Sequence, residues 1–199
     1  MRHTSDDRIR REIAHIAAKL VAIDGSEDFF QAKRKAAQQL GIKNKHVLPS
    51  NKEIECALIE YQSLFHNKEQ IQTLRDFRLV AYKTMLLLKK YHPRLVGSVL
   101  TGTANQYSEV SIHIFSDEFE TISLFLEHQG VPVSICERRL RVEKNNSIYF
   151  TAFKFIAGEI NIVIVVLPFV YLKNAPIDPI TEQAMKRASL SDVKKFIES

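Results

Sequence analysis

The hydrophobic period of this chain changes at Arg94, and that change limits the folds open to it. Before Arg94, apolar residues recur at threes and fours, with Arg78 taking one place in the fourth series. The series are Ile9, Ile13, Ile16, Leu20; Phe29, Ala32, Ala36, Leu40; Ile54, Ala57, Leu58, Tyr61, Leu64, with Phe65 beside them; and Ile71, Leu74, Arg78, Ala81, Met85, Leu88. Residues one helical turn apart share a face, so the spacing predicts four amphipathic helices, near 6–23, 28–40, 50–64 and 68–90. Ser5 or Asp6 can cap the first and Gly25 follows its end, while Gly41 stops the second. Ser50 and Glu53 have the spacing of a capping box, and the fourth helix must end before Pro93.

From Arg94 the period is two, which predicts strands near 94–100, 108–115, 132–142, 147–156 and 159–167, with one helix at 117–129. The segment KNNS at 144–147 is hairpin chemistry, and Ala157-Gly158 joins the last two strands. Two short helices are expected in the tail, at 179–188 and 190–198, the second capped by Ser189 or Ser191. Helices first and strands afterwards define an α+β chain. The expected divisions are a helical region at 1–92, a mixed sheet with flanking helices at 93–171 and a helical tail at 172–199.

With 199 residues, 45% of them hydrophobic, the chain can bury a substantial core. The run INIVIVVLPFVYL at 160–172 contains Asn161 and Pro168 and falls short of the roughly 20 residues that span a bilayer. The first twelve residues are charged and lack a signal-peptide core. Two cysteines make no disulfide framework. A soluble cytoplasmic protein is therefore expected, with no membrane partner. The net charge of +5 is uneven: residues 1–92 hold 17 basic and 11 acidic side chains. Lys33, Arg34, Lys35, Lys43, Lys45, Arg75, Arg78, Lys89 and Lys90 offer a surface for RNA or another polyanion, or for a protein partner.

The stretch LVGSVLTGTANQYSEVSIHIF at 95–115 carries the chemistry. Glycine lets backbone approach a phosphate closely, so Gly97, Ser98, Thr101, Gly102 and Thr103 are the candidate phosphate-binding residues. With Ser-Glu-Val-Ser-Ile following at 108–112, the order and intervals resemble the nucleotidyltransferase superfamily typified by DNA polymerase β. The whole chain is also similar to bacterial proteins of about this length that place a helical half before a reduced nucleotidyltransferase core. The resemblance implies a nucleotidyltransferase-like mixed sheet, an NTP such as ATP as ligand, and magnesium or manganese held by three carboxylates. It puts Glu109 at the first carboxylate, Ser111 at the second and Asn161 at the third, so two of three are neutral.

Two divalent ions about 3.5–4 Å apart need that charge. A unit-charge pair at 4 Å is worth ~4 kcal/mol at an effective dielectric of 20, and a divalent ion about doubles it. Alternation places Glu109, Ser111 and His113 on one strand face and Glu159 with Asn161 on another, so Glu109, His113 and Glu159 are candidate metal ligands, suited to zinc or manganese. Arg139 and Arg141 share a side that can face a triphosphate. The expected function is nucleotide binding with weak, altered or absent transfer to a hydroxyl acceptor, a possible pseudoenzyme. The alternative is a noncatalytic module that binds nucleic acid or protein through its basic helices.

Overall fold

The structure is a computed structural model describing residues 2–24, 28–42, 44–64 and 68–198. Expectations placed on Gly25, Lys43 and Phe65, and on the side chains of Ser5, Lys45 and Leu64, lie outside the described residues. The chain divides into two compact units, one of residues 1–71 with 105–107, the other of 72–104 with 108–199.

The first unit is helical. α1 (Arg2–Asp24) packs against α2 (Phe29–Gln39) and α3 (Asn51–Leu64), burying Ile13, Ala17, Val21, Phe29, Ala36, Ile54 and Leu58. α1 starts four residues before the expected cap, because nothing in residues 2–5 is proline or glycine; Asp6 is interior to the helix. Asp28 caps α2 by accepting the Gln31 amide at 3.0 Å. The capping box is present: the Ser50 amide donates to Glu53 Oε2 at 2.7 Å and the Glu53 amide donates to Ser50 Oγ at 3.2 Å.

The second unit is a five-stranded sheet with helices on it. β1 (Arg94–Val96), β2 (Val110–Phe115), β3 (Ser134–Glu143), β4 (Asn146–Ala157) and β5 (Ile160–Leu167) lie in the order β1-β2-β5-β4-β3. β2 and β5 are parallel and the other pairs antiparallel, so the sheet is mixed and the chain is α+β as expected. α4 (Lys68–Leu87), α6 (Phe119–His128) and α8 (Leu190–Glu198) cover one face. There Phe77, Met85, Ile122, Leu126 and Val193 share a core with Ile112, Ile114, Phe153, Ile162 and Ile164. On the other face Phe115, Phe150, Val163, Val165 and Leu167 are buried, with Tyr171 and Leu172 of α7 (Val170–Lys173) against them. β5 is thus apolar on both sides, which explains its unbroken hydrophobic run. Among the described residues, no helix is long and apolar enough to cross a membrane.

Three expectations are corrected. Ile71 is 56% exposed, because α4 meets the sheet core only from Leu74 and Phe77 onward. β1 ends at Val96, where Gly97 turns the chain into α5, the single helical turn Ser98–Thr101. No helix forms at 179–188. Asp178 Oδ1 accepts the amides of Ile180 and Thr181 at 2.7 and 2.9 Å, Glu182 has φ 57°, and Ile177, Ala184 and Ala188 make isolated bridges instead. The Ala188 bridge exchanges both hydrogen bonds with Leu95, tying the tail to β1. α8 is capped by Ser189, whose Oγ accepts the Asp192 amide at 3.3 Å.

Candidate functional site

Strand pairing sets the relative positions of the residues expected at the site. β1 and β2 register Val96 opposite Ser111, and a Cβ placed on Gly97 would stand 3.8 Å from the Ser111 Cβ. β2 and β5 register Val110 beside Ile162, so one residue earlier Glu109 is level with Asn161. Gly97, Glu109, Ser111 and Asn161 therefore gather at one end of the sheet.

The loop after β1 is more self-contained than its composition suggests. The amides of Leu100 and Thr101 donate to the Gly97 carbonyl at 3.1 Å each, and those of Gly102 and Thr103 donate to the Ser98 carbonyl at 2.9 and 3.0 Å. Thr101 Oγ1 and Thr103 Oγ1 share a hydrogen bond of 2.9 Å. The amides of three expected phosphate-binding residues, Thr101, Gly102 and Thr103, are thus engaged by the turn itself. Arg78 lies beneath it, donating from Nε to the Val99 carbonyl at 3.4 Å, with its guanidinium stacked 5.1 Å from the Phe196 ring centre. Partial burial lowers the Arg78 pKa from its ordinary value.

Glu109 does not face the cleft as a free carboxylate. Arg138 Nη2 bridges its two oxygens, at 2.7 Å to Oε1 and 2.9 Å to Oε2. Both side chains are about a third exposed, so the pair contributes on the order of 1 kcal/mol or less to stability. Its consequence is local: the carboxylate expected to bind a cation already has one. Arg139 and Arg141, expected to share a side that faces a triphosphate, do share a side, the one opposite Arg138. Arg139 is exposed opposite Tyr149, and Arg141 reaches Glu182 at 3.8 Å while its buried Nε has no hydrogen-bond partner. Cys136, Leu140 and Val142 point into the core face, so the alternation that puts them inward puts Arg138 inward too. That parity is visible in the sequence, and it singles out Arg138. Lys154, registered opposite Val163, adds a cation on the same face.

His113 and Glu159 lie in opposite surroundings, one buried and one exposed. His113 is 1% exposed, and its Nδ1 is buried with no hydrogen-bond partner. Burial first, and the Arg187 charge second, hold its pKa down to about 3. Arg187 is anchored by donating to the carbonyls of Tyr171 and Leu172 at 2.7 and 3.0 Å. Its own pKa is lowered by burial and then by Arg94, which stands on β1 opposite His113. No sequence pattern points to Arg187, because the tail reaches the sheet only through tertiary contact. Glu159 is exposed in the two-residue turn between β4 and β5. Among the described residues, no group of three or more His, Cys, Asp or Glu side chains is placed to hold a metal ion. The donor set does not fit paired divalent ions: Glu109 is held by a guanidinium, Ser111 and Asn161 are neutral, and the charge nearest His113 is positive.

Much of the basic helical surface is engaged internally. Lys33 Nζ donates to the Pro49 carbonyl at 3.0 Å, Arg34 lies over the Phe30 ring, and Lys90 lies 4.1 Å from the Phe125 ring centre. A groove of about 360 Å³ between α1 and α3 sets Arg11 and Lys52 against Glu53 and Glu60, so it offers no excess of cations. No protein-family model matches the chain, and no curated protein matches it.

Proposed function

We propose that this chain is a nucleotidyltransferase-like, nucleotide-binding module in which an internal guanidinium stands where the enzymes of that plan need metal, so that phosphates are held but not transferred. The observation carrying the reading is the Arg138 bridge across both oxygens of Glu109. Gly97 beside Ser111, and Glu109 level with Asn161, support the cleft. Its one carboxylate is balanced by Arg138, and Lys154 leaves the face net positive, which suits a phosphate and disfavours a second cation. Cys56 and Cys136 are both free thiols, in accord with a cytoplasmic location. The basic helices support a nucleic-acid or protein partner less well, because Lys33, Arg34, Arg78 and Lys90 are already in internal contacts.

Thermal denaturation with ATP, in EDTA and then in excess magnesium or manganese, tests this. At ligand about a hundredfold above Kd, stabilisation is about 2.7 kcal/mol, or roughly 5–10 °C for a chain of this size. The expected shift is equal with and without divalent ions and is lost in Arg138→Gln. A shift confined to the metal-containing samples contradicts the guanidinium's role. Salt-sensitive RNA binding with no nucleotide shift transfers the function to the helical half.

A further inference from the structure

β3 is the last strand of the sheet. One bond shows which of its backbone groups face outward: the Ile177 amide donates to the Arg141 carbonyl from outside the β3–β4 ladder. Pairing with β4 runs without a shift from Ser134 to Arg141. Backbone groups alternate direction along an antiparallel strand, so Ile135, Glu137 and Arg139 also aim their N–H and C=O groups outward. All three side chains are exposed.

An edge protected against copies of itself carries charges that repel them. This one is complementary to itself. When two such strands run antiparallel about Arg138, Glu137 of each copy falls opposite Arg139 of the other, in a hydrogen-bonded pair. Centring on Glu137 or on Arg139 would instead oppose like charges. The two Arg138 residues face each other across the axis, but each guanidinium turns away from it, toward its own Glu109, and is neutralised there. Cys136 and Leu140, inward on the same face, oppose each other across the axis.

We infer that a second copy of this chain adds to β3 in this register, making one continuous sheet across a symmetric dimer. The inference is independent of nucleotide binding. Sedimentation equilibrium of the full chain, at low and high salt, reads it. A dimer weakened by salt is expected. Glu137→Arg and Arg139→Glu each place like charges opposite one another twice, and each should raise the dimer Kd at least about tenfold. The double variant Glu137→Arg/Arg139→Glu restores opposite charges and should return the affinity toward that of the parent. Both positions are exposed, so melting temperatures measured at concentrations low enough to keep every variant monomeric should not change. A wild-type chain that stays monomeric throughout the concentration series overturns the inference. So does a dimer indifferent to the single reversals, or a double variant as weak as the singles.

Discussion

Replacing His113 with leucine is expected to remove most of one acid-dependent limb of stability and to raise stability at neutral pH. The imidazole sits on β2 at 1% exposure with Nδ1 unpartnered, and its pKa in the fold is about 3. The ordinary value is 6.5, so the folded state refuses a proton that the unfolded chain accepts. Above the ordinary value both states are neutral and the full stability is present. As pH falls from about 6.5 toward about 3, stability is lost at up to about 1.4 kcal/mol per pH unit. Leucine has a similar volume and no polar atom, so it also removes the cost of a buried unsatisfied nitrogen, about 1 kcal/mol or more. Urea midpoints of parent and variant, compared at neutral and mildly acid pH, separate the two effects. Parallel acid slopes in the two proteins would show that His113 is hydrated or protonated in the fold.

The second large effect is expected at Gly97. Its φ of 75° and ψ of −157° lie in a region that only glycine occupies without strain. A Cβ there meets only the Ser111 Cβ at an ordinary 3.8 Å, so the cost is conformational and not a collision. Gly97→Ala should destabilise the ligand-free protein by about 1–3 kcal/mol. This bears on the meaning of the motif. The fold itself demands glycine at 97, to turn β1 into α5, whether or not a phosphate ever approaches. If denaturation of the ligand-free variant matched that of the parent and only nucleotide binding suffered, close approach of a ligand would be the reason for the glycine instead.

Local and alternating features are legible in the sequence because they depend on near neighbours. Ser50 with Glu53 and the change of period at Arg94 follow from helix and strand geometry alone. The meeting of Gly97, Ser111, Glu109 and Asn161 follows from strand alternation plus a topology drawn from the resemblance. What escapes is set by distant partners. The fate of Glu109 depends on Arg138 from the far edge strand: the parity of β3 turns Arg138 inward, but which carboxylate it meets is set by tertiary packing. His113 has the composition of a ligand and the surroundings of a core residue, because Arg187 arrives from the tail. The absent helix at 179–188 has the same origin: Asp178 and the bridges of Ile177, Ala184 and Ala188 offer its backbone better partners.

The bond pair between Leu95 and Ala188 has a kinetic meaning. The first strand of the sheet is secured by one of the last segments of the chain, and the central parallel pair joins β2 to β5 across two intervening strands and a helix. Such distant pairings must close long loops before they gain anything, whereas α1, α2 and α3 satisfy one another over short separations. During synthesis the helical unit can consolidate early, while β1 and β2 wait with apolar faces uncovered until β5 and the tail emerge. That waiting interval is when the chain is most open to misassembly.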